Sequence, residues 1–146
     1  MPSDLATRGC DLLFVYGTLR RGASHHHILK SLNAAHLGPA TVAGELFDLG
    51  RFPGSWLIEP KGPGISRRRV LGELYRLQNP PHSLDVLDRY EGLQSPAPEA
   101  RLFRRELACV RVQGGKTMQA WIYVLAQRPA AARLVPSGDY AKAHRG

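Results

Sequence analysis

The stretch that most constrains this chain is Leu12-Leu13-Phe14-Val15, which runs straight into Tyr16-Gly17-Thr18-Leu19-Arg20-Arg21-Gly22. Adjacent apolar residues in a short run bounded by glycine suit a strand covered on both faces. Glycine-bearing loops at strand ends expose backbone N–H groups, which form concavities that hold anionic groups. A substrate carboxylate is one such guest. An ordinary strand-ending turn is the other reading of the same residues.

A buried strand needs a core around it, and 146 residues are enough for one compact domain over 1–146, with its core between about 12 and 140. The chain is 43% hydrophobic and 22% charged, ordinary for a globular protein. No stretch approaches the roughly 20 apolar residues that span a bilayer, and Met1 to Asp11 lacks the apolar centre of a signal peptide. The default expectation is therefore a cytoplasmic protein without a membrane partner. Cys10 and Cys109 are too few for a disulfide framework and are expected as free, partly buried thiols. A net charge of +8 raises the question of nucleic acid. The arginines are scattered, though, and Arg67-Arg68-Arg69, the single run, follows Pro60-Lys61-Gly62-Pro63-Gly64 as a solvated loop leading into a strand. No helix-turn-helix, zinc-ligand spacing or RNA-binding aromatic signature accompanies it, so a nucleic-acid partner is not expected.

Along the chain, Ser24 can cap a short helix to about Asn33, with Ile28, Leu29 and Leu32 as its apolar stripe. His25-His26-His27 fan out around that helix, which makes a polar face and a poor common metal site. Strands are expected at Ala40–Leu49, Trp56–Ile58, Arg69–Leu77, Phe103–Val112 and Thr117–Leu125, with Gly114-Gly115 as a hairpin turn. A helix at about Pro81–Tyr90 separates the earlier strands from the last two. The fold class is α+β, with five to six strands and two to three short helices. Glycine-broken strands in that number favour a small mixed β-barrel or strongly curled sheet.

The helix near residue 90 ends in an acid. Pro81 suits its first turn, Ser83 could cap it, and Gly92 suits the position just past its end. Leu84, Leu87 and Glu91 are spaced i, i+3 and i+7, which sets Glu91 above Leu84 on the apolar face. Asp85 and Arg89, four apart, lie on another face as surface support. A carboxylate on a buried stripe is costly without a partner or a task. Desolvation and the negative helix end both push its pKa up, toward the range that general acid–base chemistry needs. The alternative is a last-turn glutamate that bends into water.

Leu87-Asp88-Arg89-Tyr90-Glu91-Gly92 resembles the segment that carries the catalytic glutamate of the gamma-glutamylcyclotransferase-like superfamily. Tyr16-Gly17-Thr18-Leu19 resembles that superfamily's Tyr-Gly-Thr/Ser-Leu signature. Further resemblances follow in order at Leu46–Gly54, Gly72–Tyr75, Ala120–Tyr123 and Ser137-Gly138-Asp139-Tyr140. Two departures stand out. Phe103-Arg104-Arg105 replaces the usual Tyr-x-Arg, and the Gly92–Phe103 connection is rich in Pro and Ala, with Glu99 on an expected flexible rim.

The resemblance implies an enzyme that cyclises an L-γ-glutamyl group to 5-oxo-L-proline and releases the attached amine. It implies Glu91 as general acid/base, with Tyr16, Gly17, Thr18, Leu19 and, more weakly, Tyr123 as substrate-binding residues. The partner is a small γ-glutamyl molecule, and neither a metal nor an organic cofactor is called for. Three rival readings stand beside it. They are a non-catalytic small-molecule binding module of the same fold, a basic nucleic-acid-associated protein, and a Cys–His hydrolase using Cys10 or Cys109.

Overall fold

The computed structural model describes residues 10–58, 68–93, 95–97 and 101–140. The expectations for Pro60–Gly64, Arg67 and Glu99 lie outside the described residues. The chain forms β1 (Leu12–Val15), α1 (His27–Ser31), β2 (Ala35–Asp48), β3 (Pro53–Leu57), β4 (Arg69–Arg76), α2 (Pro80–Tyr90), β5 (Phe103–Val112), β6 (Thr117–Leu125) and β7 (Arg133–Leu134). Five strands close a mixed barrel in the order β2-β4-β1-β6-β5, with β5 returning to β2 at Ala40–Val112 and Thr41–Arg111. The pairs are antiparallel except β1–β6, which is parallel through Leu13 and Trp121. β3 and the two-residue β7 hang from the far half of β2. No helix among the described residues is long and apolar enough to cross a membrane.

β1 is buried along its whole length, as its unbroken apolar run requires. Leu12, Phe14 and Tyr16 join Val42, Val70, Val110 and Ile122 in one buried cluster inside the barrel. Leu13 and Val15 face the other way, into a second cluster with Leu29 of α1 and Leu84 and Leu87 of α2. A barrel of so few strands is filled by its own side chains. A ligand therefore has to sit at its end or on its wall.

Several boundaries differ from the sequence expectation. β2 starts at Ala35 because a register shift at His36–Gly38 absorbs the Gly-Pro pair as a bulge, with Gly38 at φ 126°. The strand expected at Trp56–Ile58 starts earlier and spans Pro53–Leu57, since Pro53 and Gly54 already pair with β2. The first helix starts at His27, without a side-chain cap; Ser24 Oγ instead lies 3.1 Å from His25 Nδ1. Ser83 is not a cap either. It is buried inside α2, whose N-cap is Asn79. Arg69 is not solvated loop but the half-buried first residue of β4, donating to Thr41 Oγ1 at 2.7 Å. Cys109 is exposed, whereas Cys10 is half-buried, and both are free.

Candidate active site

α2 ends as its sequence demands. Gly92 takes φ 81°, its N–H donates to the Arg89 carbonyl at 3.1 Å, and Leu93 N–H reaches back to the Asp88 carbonyl at 2.9 Å. This double closure stops the helix at Tyr90 and leaves the half-buried Glu91 as its C-cap. Glu91 faces a cavity of about 440 Å³ at the end of the barrel. Tyr16, Gly17, Thr18, Leu19 and Tyr123 line the same cavity, so one space gathers all six residues singled out in the sequence. Its outer wall is formed by Arg51, Phe52, Leu102 and Phe103.

The loop after β1 is held from several sides. Arg20 N–H closes a turn onto the Gly17 carbonyl at 3.0 Å, and His25 N–H donates to the Thr18 carbonyl at 2.9 Å. Thr18 Oγ1 and the Tyr90 hydroxyl are 2.8 Å apart, which ties the loop to the end of α2. A Cβ on Gly17 would come within 2.6 Å of the Pro53 ring, so only glycine fits there without displacing β3. The N–H groups of Gly17, Thr18 and Leu19 donate to no acceptor among the described residues. Three consecutive unused donors beside a cavity have the makings of an anion nest.

The Glu91 carboxylate likewise accepts no hydrogen bond among the described residues. Burial, and then the nearby Asp88 carboxylate, push its pKa up from 4.5 to about 7. The second cause is thus a neighbouring acid where sequence reasoning looked to the helix end. Asp88 itself is fully engaged. Arg105 grips it through two bonds, Nε to Oδ1 at 2.9 Å and the second guanidinium nitrogen to Oδ2 at 3.2 Å. The Tyr123 hydroxyl donates to Oδ1 at 2.7 Å, and the Arg105 guanidinium lies 4.3 Å over the Trp121 ring.

The two tyrosines play different parts from those their positions suggested. The Tyr16 hydroxyl donates to the Tyr123 carbonyl at 2.6 Å and accepts from Ser55 N–H at 3.1 Å. Burial raises its pKa far above an ordinary phenol, so it stays protonated. The Tyr123 hydroxyl is committed to Asp88. Both offer the cavity ring surface and fix its walls. Sequence reasoning quoted Asp88, Tyr90 and Arg105 inside its motifs but gave them no role. Asp88, one turn before Glu91, was the readable signal. His25 was also missed, because the histidine run read as a polar face; its ring lies 5.4 Å from Tyr90 and lines the cavity. Neither cysteine lines it.

A small mixed barrel with a carboxylate and a donor-rich strand-end loop on one cavity defines a class, and residues 13–142 match the sequence model of the gamma-glutamyl cyclotransferase, AIG2-like family. The chain belongs to that family. It is 33% identical over 113 residues to the gamma-L-glutamyl-butirosin B gamma-glutamyl cyclotransferase of Niallia circulans. That match takes in 77% of this chain but only 65% of the length of that relative. A gamma-glutamylaminecyclotransferase of Rattus norvegicus is 32% identical over 120 residues, 76% of this chain and 75% of that protein. The crystal structure of an aig2-like protein from Mus musculus superposes with a TM-score of 0.60 at 26% identity, covering 82% of this chain and 80% of that one.

Proposed function

We propose that this protein converts an L-γ-glutamyl amide into 5-oxo-L-proline and a free amine, with Glu91 as the proton carrier. The observation that carries this reading is a carboxylate with a pKa near 7, on the same cavity as three backbone N–H groups, all four without a hydrogen-bond partner among the described residues. The loop from Gly17 to Leu19 receives the α-carboxylate. That sets the α-ammonium beside Glu91, which removes a proton and leaves a neutral amine. The amine attacks its own γ-carbonyl carbon, a C–N bond closes the five-membered ring, and the bond to the attached nitrogen breaks. The first proton passes from Glu91 to the departing nitrogen. A second, shed by the ring nitrogen, follows the same route, so the amine leaves as an ammonium and the glutamate is restored. Holding the curled substrate against Tyr16 and Tyr123 removes much of the entropic barrier to ring closure. A glutamate near neutrality suits both halves of this traffic.

The relatives' names place different amines on the departing side, butirosin B in one and an amine in another. In this chain that side corresponds to the wall made by Arg51, Phe52, Leu102 and Phe103. The test is 5-oxoproline release from a panel of γ-glutamyl amides. Glu91→Gln keeps the shape and loses the proton carrier, so turnover falls by at least ~10²-fold with ligand binding retained. Undiminished turnover in that variant overturns the assignment of Glu91.

A further inference from the structure

The barrel has a seam. β5 pairs with β2 only at Ala40–Val112 and Thr41–Arg111; beyond that point β2 turns away to pair with β3. β5 continues along β6 to Phe103. In the fork between them lies a second cavity of about 410 Å³, separate in its lining from the first. Its apolar surface comes from Val42, Val124, Trp56 and Leu57.

The polar rim is one-sided. Among the described residues, Arg69, Arg104 and Arg111 line it against a single acid, Glu106. That acid is taken, since Arg104 bonds Glu106 Oε1 at 2.6 Å. Arg69 donates to the Thr41 hydroxyl at 2.7 Å and to the Thr41 carbonyl at 3.2 Å, both neutral acceptors. Arg111 has no hydrogen-bond or ion-pair partner among the described residues. The two guanidiniums flank Thr41, Arg111 as its β5 partner and Arg69 through those bonds; burial first, and then the Arg111 charge, pull the Arg69 pKa down. Two neighbouring cations with no carboxylate partner among the described residues, above an apolar floor, are an arrangement that an anion relieves.

We propose that the seam cavity is a second binding site, for a small organic anion that sets a carboxylate or phosphate between Arg69 and Arg111 and lays an apolar body against Trp56. The site is independent of the cyclotransferase reading. Arg111 supplies charge and fork geometry at the open end, while Arg69, pinned by Thr41, supplies a fixed donor from the floor.

The chain has two tryptophans, so two indole N–H resonances report the test. Trp56→Phe assigns them. Trp121, whose indole donates to the Cys10 carbonyl at 3.2 Å, is the internal control. Titration with phenyl phosphate and with benzoate is expected to shift the Trp56 signal saturably and leave Trp121 in place, and the tighter of the two names the acid group. Benzyl alcohol is expected to leave both signals unmoved. Arg111→Glu weakens the binding by about tenfold or more, and Arg111→Lys retains most of it. Absence of a saturable Trp56 shift, an equal shift with benzyl alcohol, or unchanged binding in Arg111→Glu overturns the proposal.

Discussion

The two cavities differ little in size, about 440 Å³ at the barrel end and about 410 Å³ at the seam, yet their chemistry is opposite. The end cavity holds an acid, and beside it backbone donors, with no hydrogen-bond partner among the described residues. The seam holds two arginines that no carboxylate among the described residues neutralises. In each, the neighbouring charges of the same type are satisfied, Asp88 by Arg105 and Tyr123, Arg104 by Glu106. In both proposals the group given the work is a charge without a charged partner among the described residues, while its neighbours are paired. For Glu91, whose burial pushes its pKa up, the ionised form raises the energy of the fold until a proton or ligand arrives.

That contrast can be broken most sharply by crossing the two sites. Glu91→Gln is expected to cost at least ~10²-fold in turnover while phenyl phosphate still moves the Trp56 resonance. Arg111→Glu reverses the pattern, sparing 5-oxoproline release. A variant that damages both readouts would show that the cavities are coupled.

Removing the partner of a satisfied group tests the other half of the comparison. Asp88→Asn strips a charged acceptor from Arg105 and Tyr123, and denaturant unfolding is expected to show a loss of about 1–3 kcal/mol. The same change withdraws a negative neighbour from Glu91. The acid limb of the rate–pH profile then moves below its wild-type position near pH 7.

Glu91 also leaves a signature in stability. Its folded pKa of about 7 lies above the ordinary 4.5, so its contribution is fully present below pH 4.5 and is lost as pH rises through 7. Relative to Glu91→Gln, the wild type should lose about 1–3 kcal/mol across that window, a range reduced for the solvent that reaches a half-buried carboxylate. Parallel stability curves for the two proteins would count against the raised value. The smallest expected effect belongs to the loop. Thr18→Pro removes one unused N–H and should weaken substrate binding about tenfold, whereas Thr18→Val keeps the N–H and loses only the Tyr90 contact, about 1 kcal/mol of stability.

Much of this was legible along the chain wherever the signal is local. The apolar run of β1, the Leu84-Leu87-Glu91 spacing of α2 and the Gly92 stop depend on neighbours within a few residues, and each stands where periodicity put it. The Gly114-Gly115 hairpin joins β5 to β6 for the same reason. Local rules misled where a tertiary contact took over. Ser83 has a capping side chain but is swallowed by the core, and β2 runs through Gly38-Pro39 because β4 pairs with it on both sides of a bulge. The two-residue β7 has no period to read and exists only through Phe47 and Asp48.

By itself, then, the sequence determined the buried first strand, its glycine loop and an acid at the end of an amphipathic helix, because backbone geometry repeats every two or 3.6 residues. Only the tertiary structure decided that the loop and the acid share a cavity. It alone paired Asp88 with Arg105, seventeen residues away, and so left Glu91 as the cavity's acid without a partner among the described residues. The closing of β5 onto β2, and the seam it leaves open, were decided there too. Such pairings join residues far apart in the chain, and no local pattern encodes which partner a charge will meet.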